Sequence, residues 1–123
     1  MLLNRSKAPE FIILVDFELP SPQKKNLSGN RDLFFVPTPN LEAVKLEIIG
    51  KSQRLTLPMQ KSLVPSFTLQ MLTEGTKTQS EAQLSEFFDF HASEVHPIVT
   101  YTHEVMSLVT TKKHLFDVLP RFM

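Results

Sequence analysis

The chain has 123 residues, an apolar fraction of 41% with ten phenylalanines, and 13 Lys plus Arg set against 13 Asp plus Glu. That length carries one domain at most with a real core, and that composition argues for a globular chain rather than a disordered one. Balanced charge leaves no basic field to recruit nucleic acid or anionic lipid, and the absence of cysteine removes disulfides, thiol catalysis and thiolate metal sites.

Met1 to Pro9 is polar, and Phe11-Ile12-Ile13-Leu14-Val15 reads as a buried strand or an apolar strap across a neighbour. The run is too short for a membrane span or a signal-peptide core, so the chain reads as soluble with no membrane partner. Pro20 and Pro22 impose an extended connector. Gly29-Asn30 then separates Lys24 to Leu27 from Leu33 to Val36, and a glycine followed by a polar residue suits a type II′ hairpin turn. Pro37 and Pro39 stop the Phe-rich strand. Val44, Lys45, Leu46, Glu47 and Ile48 alternate strictly, which predicts a strand with one wet and one buried face ending at Gly50.

The stretch Leu63 to Ser80 predicts two helices joined by a tight link. Ser62 is the expected N-cap of the first, Pro65 falls in its opening turn, and Val64, Phe67, Met71 and Leu72 form its apolar face. Gly75 is the expected C′ residue, since glycine adopts a left-handed conformation without steric cost. Ser80 with Gln83 forms a capping box ahead of Leu84, Phe87 and Phe88. Phe87, Phe88 and Phe90 are read as core. His91-Ala92 follows this helix.

Ser93 to Val99 and Glu104 to Thr110 are rich in Val, Ile and Thr and predict two antiparallel strands turning near Tyr101-Thr102-His103. Pro97 makes the first an edge strand or turns its nitrogen to an open side. Leu115, Val118, Leu119 and Phe122 give a last amphipathic helix, which Pro120 should kink or stop. The order is strand, strand, helix, helix, strand, strand, helix: an α+β layer with helices on one face of a mainly antiparallel sheet.

The phrase Met71-Leu72-Thr73-Glu74-Gly75-Thr76-Lys77-Thr78, followed by Ser80 and a short amphipathic helix, resembles the pitrilysin/insulinase-type zinc metallopeptidases, the inverzincins. In active members the first helix carries H-x-x-E-H, whose histidines bind zinc and whose glutamate activates water. Counting back from Gly75-Thr76, Ser66 stands at the first histidine's place, Leu69 at the glutamate's and Gln70 at the second histidine's. The resemblance covers roughly Leu27 to the end, and His91-Ala92 lies where the family commonly has a glycine pair or Gly-Ala, which implies a positive φ at the histidine, a costlier choice than glycine. The resemblance implies a division into an N-terminal extension and connector over 1–26 and the first part of an insulinase-like two-layer lobe over 27–123, truncated before the family's third zinc ligand. It further implies a chain with no cofactor and no metal of its own, paired with a catalytic subunit or lobe. Active relatives hold substrate as an added strand on the edge strand after the second helix, around an Asn-Ala pair. Glu94 and Val95 occupy that place here, so Ser93, Glu94, Val95 and His96 are the expected peptide contact.

Other chemistry is thinner. His91, His96 and His103 lie in a short span but show no i, i+4 pairing on a helix, and surface histidines beside turns are the commoner case. His114 is expected on the wet side of the last helix. Glu86 and Asp89, three apart, read as solvated charges. Ser66 has no histidine near it in sequence and no G-x-S-x-G elbow, so it reads as a helix serine bonded to backbone, with Leu69 half-buried and Gln70 solvated. The sequence therefore predicts a non-catalytic insulinase-like lobe that pairs with an H-x-x-E-H chain and helps enclose a peptide. The alternatives are a peptide-binding or assembly module unrelated to proteolysis and a metal hydrolase built on the three histidines. An incomplete lobe leaves apolar faces uncovered, so self-association is expected.

Overall fold

The computed structural model describes residues 18–123, so the apolar run Phe11 to Val15 lies outside the described residues. The chain divides into two compact units, one up to Pro39 and one from Asn40 to Met123. The boundary expected after residue 26 falls within the first strand of the first unit.

In the first unit, β1 (Gln23–Leu27) and β2 (Arg31–Phe35) form an antiparallel hairpin with Leu27 opposite Arg31. Gly29 and Asn30 both have positive φ, 76° and 55°. A type II′ turn needs positive φ only at its first central residue, so the expected turn type is corrected toward the I′ hand, in a three-residue loop. Lys24 spans the strands to reach Asp32 at 2.8 Å.

The second unit is an α+β layer. Its sheet has the order β3 (Ala43–Lys51), β5 (His103–Thr111), β4 (Glu94–Val99), antiparallel throughout. One more strand precedes the first helix than the predicted order allowed. The alternation of β3 is observed, with Val44 and Leu46 half-buried between exposed neighbours, but its far end is open, and Ile48 and Ile49 stay exposed. Central β5 carries most of the burial: Leu108 is 0% exposed, and Ser107 and Thr110 are buried beside it. Pairing puts Leu46, Leu108 and Val95 in one row across the sheet, and Ile48, Met106 and Pro97 in the next row of the same face.

The helices are α1 (Val64–Met71), α2 (Glu81–Phe90) and α3 (Leu115–Phe122). A 3-10 turn over Met59–Lys61 runs into α1 and leaves Ser62 in right-handed helical geometry. A capping serine needs extended geometry to reach the N2 or N3 amide, so Ser62 does not cap, and Leu63 is the N-cap without a side-chain bond. The helix also sits on the sheet by a different face from the one expected. Pro65 is buried and Ser66 and Leu69 half-buried, while Val64, Phe67, Met71 and Leu72 are exposed, Phe67 at 61%. Proline and serine are compact, and they let this side of α1 approach β4 closely.

Gly75 does not terminate α1, which ends at Met71 with Leu72 as C-cap. It has φ +135° and bridges to Ser80 around a small turn in which Thr76 N–H donates to Gln79 O at 2.8 Å. The capping box of α2 forms as the sequence predicts: Ser80 N–H donates to Gln83 Oε1 at 2.9 Å, and Gln83 N–H to Ser80 Oγ. Leu84 is buried, Phe87 and Phe88 are half-buried, and Phe90, expected in the core, is 81% exposed. After α2 the positive φ falls on Ala92, at 47°, and not on His91. Pro120 neither stops nor ends α3, because only the carbonyl of Phe116 loses its helical donor and Met123 N–H still reaches Leu119 O at 3.0 Å. Val118 of this helix is 0% exposed and completes the core. Among the described residues no helix is long and apolar enough to cross a membrane.

Candidate functional site

A cleft of about 790 Å³ opens on the face of the sheet that bears Val95, Met106 and Ile48. Leu69 of α1, its C-cap Leu72, and Leu84 and Phe88 of α2 form apolar walls, and the end of α3 contributes Arg121 and Phe122. An apolar floor with a few polar groups on the rim is the usual form of a site that takes organic ligands. Its rim is acidic: Glu81, Asp89, Glu94 and Glu104 stand against the single guanidinium of Arg121. Glu104 is held in place by accepting from Gln53 N–H at 2.8 Å. Arg121 lies 3.5 Å from the centre of the Phe87 ring, a cation over an aromatic face.

The four residues expected to contact peptide, Ser93, Glu94, Val95 and His96, all line this cleft. Ser93 is buried and hydrogen-bonded within the protein, which leaves the strand proper as the exposed surface. Among the described residues β4 pairs only with β5 and is an edge, as Pro97 predicts. Its polarity follows from the ladder. Thr100 N–H donates to His103 O at 2.8 Å, and in antiparallel pairing bonded and non-bonded pairs alternate. His96 and Ile98 therefore bond to β5, whereas Val95, Pro97 and Val99 direct their backbone groups to the open side. Proline thus sits where its missing N–H costs the sheet nothing. An incoming strand finds a donor and an acceptor at Val95 and at Val99, and an acceptor alone at Pro97.

Ser66, Leu69 and Gln70 lie on α1, the first half-buried, the second in the cleft wall and the third exposed. None offers imidazole, thiolate or carboxylate, so these positions do not fit the zinc ion and general base that the resemblance attaches to them. The three histidines of the hydrolase alternative do not converge either. His96 Nε2 pairs with Glu94 at 3.0 Å, and His103 Nδ1 with the Thr102 hydroxyl at 2.8 Å.

His91 instead meets His114, with ring centroids 5.3 Å apart and the rings nearly perpendicular. His114 is the N-cap residue of α3 and is half-buried, not on the wet side as expected. One ligand atom each from His91, His114 and Asp117 lie within 4.8 Å of one another. Sequence reasoning missed this group because His91 and His114 are separated by two strands. The His114-x-x-Asp117 spacing, which puts both on one side of a helix start, was its only sequence signal.

Neither a protein-family model nor a curated protein matches the chain. Among solved structures it is similar to a protease from Helicobacter pylori, with a TM-score of 0.71 at 16% sequence identity, over 85% of this chain and 26% of that one. At that identity the likeness shows a shared α+β fold. The chain spans about a quarter of that protease's length.

Proposed function

We propose that this chain is a non-catalytic, protease-related lobe of the pitrilysin/insulinase type that holds an extended peptide along β4, while zinc and the general base come from a partner chain carrying H-x-x-E-H. The observation that carries the reading is the open polar edge of β4, at Val95 and Val99, running beside an apolar cleft in a fold shared with a protease. The serine, leucine and glutamine at positions 66, 69 and 70 support the absence of its own water-activating group.

Strand addition explains the geometry in chemical terms. Backbone bonds at Val95 and Val99, each worth about 1 kcal/mol net, fix an added strand whatever its sequence. Alternate side chains of that strand then point to the cleft side, where the excess of rim carboxylates favours lysine and arginine. The partner chain would supply the chemistry and complete the enclosure.

The test is amide-resolved NMR titration with a lysine-containing decapeptide, together with peptidase assays with and without an H-x-x-E-H partner. The reading expects shifts at Val95 and Val99 and hydrolysis only when the partner is present. Hydrolysis by this chain alone overturns the non-catalytic reading, and binding that leaves β4 unshifted overturns strand addition.

A further inference from the structure

The geometry points to a binding site for one divalent transition metal, of the zinc class, made by His91, His114 and Asp117 at the junction of α2 and α3. It is independent of the peptide reading and lies outside the positions that the family resemblance would give to zinc.

Three features of the cluster suit a metal. First, His91 Nδ1 lies 2.8 Å from Phe87 O. A carbonyl can only accept, so Nδ1 carries the proton and the lone pair of the neutral ring is on Nε2. A histidine whose second nitrogen donates to a backbone carbonyl is the arrangement that fixes tautomer and ring angle in metal ligands. The Phe87 ring, 4.3 Å from that of His91, holds it further.

Second, His114 Nδ1 is buried and has no hydrogen-bond partner. The nearest carboxylate oxygen, Asp117 Oδ2, is 3.6 Å away, too far for a hydrogen bond. On a tetrahedral ion with bonds of about 2.0–2.1 Å, neighbouring ligand atoms stand about 3.3 Å apart, close to this separation. An orphaned buried nitrogen normally costs stability, and a shared cation satisfies it and the carboxylate together.

Third, the set is two imidazoles and one carboxylate with all three ligand atoms within 4.8 Å, so a contraction of about 1.5 Å at the widest pair closes it on an ion. Such a donor set suits zinc, and also cobalt, nickel or copper, over magnesium or calcium, which prefer oxygen throughout. Asp117 is exposed and gives the ion a route from solvent, while three protein ligands leave the fourth position to water. An ion here ties the end of α2 to the start of α3, so binding should raise the thermal midpoint.

The experiment is calorimetric titration of the metal-stripped chain with Zn2+ at pH 7.5, with Co2+ as a spectroscopic probe. One equivalent is expected, with visible d–d absorption for Co2+. Affinity should fall roughly tenfold or more in both His114→Gln and Asp117→Asn. His96→Gln and His103→Gln should bind as the parent does. Asp117 is on the surface, so its variant reads the site even where His114→Gln fails to fold. No binding, binding unchanged in Asp117→Asn, or binding lost instead in His96→Gln or His103→Gln overturns the site.

Discussion

Ser93 Oγ lies 2.7 Å from Thr110 Oγ1, and both residues are buried. Ser93 also donates to His91 O at 2.9 Å, which uses its one proton, so Thr110 is the donor of the pair. The relay ties the positive-φ turn at Ala92 to the central strand and so sets where β4 starts. Ser93→Ala strips partners from both the Thr110 hydroxyl and the His91 carbonyl and should cost about 1–3 kcal/mol. Thr110→Val removes only a donor and should cost less. Urea denaturation midpoints of the two variants test the order, and equal losses would contradict the assigned direction.

The link between α1 and α2 depends on two local devices. Ser80→Ala breaks the capping box and should cost about 1 kcal/mol, read as a lower thermal midpoint. Gly75→Ala should be worse, because at φ +135° an added Cβ would lie 2.9 Å from Gln79 O. A cost of roughly 1–3 kcal/mol is expected from such strain.

Peptide binding should respond to an outward proline. Val95→Pro removes an N–H that the sheet does not use, at the same parity as Pro97, so the fold should persist by circular dichroism. Affinity for a lysine-containing peptide should fall about tenfold, the worth of one or two backbone bonds. Raising the salt concentration should weaken the same peptide, because exposed rim carboxylates are screened. A peptide that binds Val95→Pro with full affinity would place the contact elsewhere.

The core is small and its contributions unequal. Leu108→Ala, in the fully buried centre of β5, should cost about 2–5 kcal/mol. Phe67→Ser, on the exposed side of α1, should stay within about 0.5 kcal/mol. Comparing the two by chemical denaturation tests which face of α1 meets the sheet, and a large loss from Phe67→Ser would restore the face that the sequence pattern suggests.

What the sequence determined by itself is whatever a few neighbouring residues settle through their own hydrogen bonds and sterics. The Ser80–Gln83 box, the alternation opening β3, the hairpin at Gly29-Asn30 and the edge character of β4 announced by Pro97 are of this kind. Tertiary structure decided the rest. Helix α1 has two faces that could meet a sheet, and β4 took the one with compact Pro65 and Ser66 over the one with Phe67, a choice that depends on the opposing surface. The positive φ settled on Ala92, and His91 came to rest against His114, because two antiparallel strands fold back between them and bring the end of one helix to the beginning of another. Spacing along the chain holds no record of such a meeting, since it is made by strand reversal and packing and not by any local pattern.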